Sequence, residues 1–151
     1  MKKTNFVSMM LVGLLLASGG AYAHSDDYLD TVKAPHGGQL RMAGIYHYEL
    51  EVVKDSKEVK DNPIIVYVTD HAGQKITTTG ATGTATILSG KLKATTALVP
   101  DGDNRMKGIA KYVSTPSMKG IISITLAGKS AEQARFTPLE PTHDESMNHK
   151  Q

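Results

Sequence analysis

The sequence predicts an all-β fold: a single immunoglobulin-like β-sandwich of seven or eight short strands. Three observations predict it. Short runs rich in Val, Ile, Thr and Tyr recur along the chain, and Gly, Pro, Asp and Asn punctuate them. Within several runs apolar and polar residues alternate with the period of two that a half-buried strand requires. No stretch beyond residue 23 carries the 3.6-residue periodicity of an amphipathic helix.

Taken in order, His24 to Lys33 reads as an extended, flexible acidic lead-in with Asp26, Asp27 and Asp30. Pro35-His36-Gly37-Gly38 is a turn, because Pro and Gly interrupt regular structure. Gln39 to Ala43 is a short strand, and Ala43-Gly44 turns the chain into Ile45–Val53. There Tyr46, Tyr48, Leu50 and Val52 face one way, and His47, Glu49 and Glu51 face the other. Lys54 to Asn62 is a charged connection. Pro63 opens the next strand, where proline is tolerated, and Ile64–Val68 is its β-branched body. Asp70 to Gln74 is a turn. Thr82–Leu88 and Leu92–Val99 form a hairpin about a two-residue loop at Ser89-Gly90. Asp101 to Asn104 is a loop, Gly108–Val113 a weaker strand and Pro116 to Gly120 a connection. Ile121–Leu126 and Glu132–Phe136 close the domain. The expected organisation is a targeting segment at 1–23, the lead-in at 24–33, the sandwich at 34–136 and a flexible polar tail at 137–151.

The first 23 residues have the layout of a secretory signal peptide. Lys2 and Lys3 precede an apolar run from Phe6 to Ala17, and Ala21-Tyr22-Ala23 supplies the small-residue cleavage pattern. A chain released into the periplasm of a Gram-negative bacterium is the expectation, with no membrane insertion after cleavage. Loss of Lys2 and Lys3 brings the 17 basic residues to 15, equal to the 15 acidic ones. A neutral chain has no general attraction to nucleic acid or to an anionic membrane, so neither is an expected partner. The chain has no cysteine. Disulfides, a lipid-bearing cysteine and thiolate metal centres are therefore excluded, and any metal site must draw on His, Asp, Glu, Met or backbone.

The chemistry-bearing residues point to a divalent transition metal, copper or zinc before nickel or cobalt. His36 and His47 flank the first hairpin, and Glu49 shares the face of His47, placed either to reach the same ion or to orient a ligand. The plain alternative is a solvated sheet face. His24 becomes the amino terminus on cleavage and could grip Cu(II) through its amine and imidazole. His143 and His149, with Asp144, Glu145 and Met147, crowd the tail. Met42 lies near the hairpin and could add a soft thioether. His71 reads as an exposed turn residue. No organic cofactor is expected: the chain has no nucleophile elbow, P-loop or dinucleotide fingerprint. Asp101-Gly102-Asp103-Asn104 lacks the glutamate that completes a calcium loop.

The segments PHGGQL…AGIYHYELEVV, IIVYVTDHAGQKI, GATGTATIL and QARF resemble a small periplasmic domain found beside, or fused to, the adaptor subunits of heavy-metal efflux pumps of the CzcB kind. The likeness spans Ala34 to Phe136 and implies a β-sandwich that meets divalent metal, with the pump's adaptor as a partner. The coiled-coil and lipoyl-like segments of an adaptor are not found in this chain. The expected function is non-enzymatic metal binding in efflux or resistance. A metal-independent module docking on an adaptor is the alternative, and a copper oxygenase built on His24 is a remote one.

Overall fold

The structure is a computed structural model and describes residues 25–141. It is all-β. The strands are β1 (Gln39–Ala43), β2 (Tyr46–Val52), β3 (Lys60–Asp70), β4 (Thr82–Ser89), β5 (Leu92–Pro100), β6 (Arg105–Tyr112), β7 (Lys119–Thr125) and β8 (Ala131–Phe136). All neighbours are antiparallel, in one sheet of order β1-β2-β3-β6-β5-β4-β7-β8. The β5–β6 link consists of two residue pairs, Val99↔Lys107 and Pro100↔Met106. There the sheet folds over, and its halves enclose one core, as the two layers of a sandwich do. The far edges also approach each other. The side chain of Gln39 accepts from the Thr137 N–H at 2.8 Å and donates to its hydroxyl at 3.4 Å, so the sheet is nearly a barrel.

The alternation in β2 works as expected. Tyr46, Tyr48, Leu50 and Val52 all enter the core, with Ile64, Val66 and Val68 of β3 beside them and Ile87, Ile122 and Ile124 from the other half. Burial lifts the Tyr48 phenol well above the ordinary tyrosine pKa. Tyr112 buries its ring, and its hydroxyl donates to the Pro63 carbonyl at 2.7 Å and accepts from the Val53 N–H at 3.0 Å. That phenol ties the end of β2 to the start of β3.

Several boundaries differ from the sequence expectation, each for a local reason. β3 begins at Lys60 rather than Pro63. Asn62 turns inward and donates to Ser56 Oγ and to the Tyr112 carbonyl, both at 2.9 Å, so a polar residue continues the inward row. Pro63 lies beyond the last β2–β3 pair, Val52↔Ile64. β6 starts at Arg105, and the hairpin loop is Gly90-Lys91, with Ser89 already paired to Leu92.

The lead-in is not extended. Asp26–Asp30 forms one helical turn, α1, with Ser25 Oγ accepting the Tyr28 N–H at 3.2 Å. Leu29 packs with Ala34, Leu40 and Met42 in a small second cluster. Arg41, itself buried, holds Asp30 at 2.6 Å. A turn this short is unstable alone and exists because it docks. At the other end, Leu139 packs against the main core, so the first residues of the expected tail belong to the domain. Among the described residues no helix is long and apolar enough to cross a membrane. The expected targeting segment and most of the tail, with His24, His143, Met147 and His149, lie outside the described residues.

Candidate metal centre

The outward face of β2 is covered. Register places Glu49 between Leu40 and Tyr67, and His47 between Met42 and Thr69. The chain from α1 to Gly38 passes over this face, leaving Glu49 3% and His47 7% exposed. A solvated sheet face is thus ruled out for both.

Glu49 is the anchor of this cover. Its Oε1 accepts the His36 N–H at 2.8 Å and the Gly38 N–H at 3.1 Å, and its Oε2 meets His36 Nδ1 at 2.8 Å. A carboxylate in that position places a ring proton on Nδ1, and in the neutral ring the lone pair is then on Nε2. Gly38 is required here. A Cβ on it would collide with the Leu50 carbonyl and stand 3.1 Å from Glu49 Cγ. The close backbone approach that lets Gly38 reach Glu49 therefore excludes any side chain. Lys54 fixes the same turn by donating to the Gly37 carbonyl at 3.0 Å. The His36 ring lies flat on Tyr67, with centroids 3.6 Å apart and planes 5° apart. Burial first, and then the nearby Glu51, push the Tyr67 phenol above its ordinary pKa.

His47 has a different neighbour. Its ring stacks on His71 with centroids 4.8 Å apart and planes 18° apart. His71 lies in the turn that follows β3 and is half-buried, not exposed as its position in the sequence suggests. That turn is tightly built. Asp70 Oδ1 accepts from the N–H groups of Ala72 at 2.9 Å and Gln74 at 2.8 Å, and Gly73 takes φ +78°.

His36, His47, Glu49 and His71 line one cavity of about 260 Å³, whose remaining lining is mainly apolar and includes Tyr28 and Leu29 of α1 together with Lys33 and Thr69. The pair expected from sequence, His36 and His47, is therefore brought to one cavity, and Glu49 orients His36. Met42 packs in the second hydrophobic cluster, and its backbone N–H donates to Asp26, so its position is explained by packing. Among the described residues no three His, Asp or Glu side chains already converge as a finished metal cage. Sequence reasoning missed His71 and Tyr67. The available signal was parity: His71 shares the strand face of Tyr67 and Thr69, and Thr69 is paired with His47.

No known family, characterised protein or solved structure matches the chain. The site must be read from its own chemistry.

Proposed function

We propose that the protein is a non-enzymatic binder of a divalent transition metal, copper or zinc, acting in the periplasm in metal efflux or resistance. One observation carries the reading: a buried carboxylate fixes His36 through Nδ1, at a cavity that also holds His47. Fixing one ring nitrogen with a carboxylate so that the other is free is how proteins prepare histidine ligands. His24, freed by signal cleavage, would add an amine and a third imidazole.

Calorimetric titration of the chain purified from the periplasm without added residues, with Cu(II), Zn(II) and Ni(II), tests this. Stoichiometric binding tighter than about micromolar, roughly −8 kcal/mol, lost in His36→Ala/His47→Ala, is the expected result. Absence of binding by the wild type refutes it. The alternative, metal-independent docking on an efflux adaptor, is favoured by the exposed Val99 and Ile109 on β5 and β6. It predicts adaptor capture that survives the double substitution.

A further inference from the structure

We propose that His71 is a metal ligand, and that the centre is organised on the His47–His71 pair with His36 at its side. The inference rests on the metal-binding reading above and names the donor set.

The geometry comes from strand register. His47 is paired with Thr69, and His71 stands two residues beyond Thr69. The two histidines are therefore diagonal neighbours on one face, at about 7–8 Å between backbones, within reach of ring side chains. The observed stacking at 4.8 Å realises that reach. Two imidazoles bound to one ion at about 2.0–2.1 Å, at right angles, have centroids on the order of 4.5 Å apart. Binding requires the rings to rotate out of this stack so that a nitrogen of each meets at a shared point. The backbone on both sides is stiff: β2 sits between β1 and β3, and the Asp70 carboxylate and Gly73 fix the turn that carries His71.

The carboxylates that could compete are already occupied. Glu49 accepts three hydrogen bonds from the His36 turn. Asp70 accepts two from its own turn. Glu51 accepts from the Tyr67 hydroxyl at 3.4 Å. Lys33, Tyr28, Tyr67 and Thr69 also line the cavity, and the imidazoles of His36, His47 and His71 supply its preferred transition-metal donors. Such a set takes Cu(II), Zn(II) or Ni(II) and rejects the hard ions Mg(II) and Ca(II), which need oxygen ligands. The His36 ring, held by Glu49 at one edge and Tyr67 on one face, offers Nε2 alone.

The test compares wild type, His71→Ala, His71→Gln and His47→Ala in titrations with Cu(II), Zn(II) and Mg(II), with thermal melting as the folding control. Electron paramagnetic resonance of the Cu(II) form counts coordinated nitrogens. Wild type should bind Cu(II) and Zn(II) but not Mg(II). Each His71 variant should bind about tenfold or more weakly, on the scale known for disturbing a metal site, and lose one coordinated nitrogen. His71 sits on a turn outside the core, and His71→Gln keeps its bulk, so folded variants are expected. If wild type binds and both His71 variants match it in affinity and nitrogen count, the assignment of His71 fails while the metal-binding reading stands. If wild type binds none of these ions, both fail together.

Discussion

Replacing Glu49 by Gln tests the site through a single proton. The carboxylate serves three donors, two backbone N–H groups at 2.8 and 3.1 Å and the His36 ring at 2.8 Å. The amide of glutamine keeps one oxygen, which the two backbone donors retain. Its NH₂ then occupies the other position and must donate. His36 Nδ1 becomes the acceptor, so the ring proton moves to Nε2, the atom left for an ion. Hydrogen bonds to a charged partner contribute about 1.5–3 kcal/mol and neutral ones about 0.5–1.5. Three bonds each weakened by about 1 kcal/mol give a loss of about 2–3 kcal/mol. At about 2.1 cal/mol/K per residue, a domain of this length loses about 4 °C for each kcal/mol, so melting should fall by on the order of 10 °C. Long-range proton–nitrogen spectra of the imidazoles read the tautomer directly. The wild type should show Nδ1–H at His36 and the variant Nε2–H, with metal affinity lowered about 10–100-fold. A wild type already protonated at Nε2, or a variant with unchanged melting and tautomer, refutes the reasoning.

Four further outcomes are expected. The folded-state pKa values of Tyr48, Tyr67 and Tyr112 are raised, chiefly by burial. Their contribution is therefore complete below about pH 10, the unfolded value, and is lost as pH rises through the folded values. Absorbance at 295 nm should show the fully buried Tyr48 and Tyr112 phenols ionising late and together with unfolding; their ionisation near pH 10 with the fold intact would contradict this. Tyr112→Phe removes the bridge from Val53 to Pro63 and should cost about 1–3 kcal/mol in urea denaturation, whereas an unchanged midpoint would mean that water replaces it. Gly38→Ala drives a methyl into the Leu50 carbonyl and should cost more than about 2 kcal/mol, with broadened His36 ring signals; wild-type stability would disprove the close approach. Arg41→Ala releases the partly exposed Asp30, so global stability should fall by about 1 kcal/mol or less. Amide exchange over residues 26–35 should nonetheless accelerate, and unchanged exchange would show that Leu29 holds α1 unaided.

The fold was legible where one face of a strand is apolar and the other is not. Tyr46 to Val52 and Ile121 to Leu126 alternate cleanly, and the same residues fill the core. It was less legible where polar residues point inward. Asn62 looks like the end of a charged loop, because nothing local shows that Ser56 and the Tyr112 carbonyl wait to receive its amide. The helical turn at Asp26–Asp30 was invisible for a related reason. Five residues display no periodicity, and the turn is held by Arg41 and Leu40, which lie more than ten residues away. The closure of two layers into one continuous sheet depends on two residue pairs between β5 and β6, below the resolution of any pattern.

The site shows the same division between local and distant information. Parity put His47 and Glu49 on one face, and that much follows from strand geometry alone. Which atom Glu49 meets depends on Gly38 coming close enough to lend its N–H, a contact made across the hairpin. His71 looked like an ordinary turn residue because turns usually face water. Its neighbour Asp70 spends its carboxylate on two turn amides, and the His71 ring of this turn lies on His47 of β2. The acidic residues that make this region look like a mixed oxygen and nitrogen site are thus the ones that build its frame. With the imidazoles as the proposed ligands, ion selectivity is a sharper question to put to this protein than affinity alone. A preference for Zn(II) or Cu(II) over Mg(II) would follow from the frame. Equal binding of Mg(II) would mean that Glu49 or Asp70 abandons its backbone partners, and the His36 turn or the His71 turn would then loosen measurably in amide exchange.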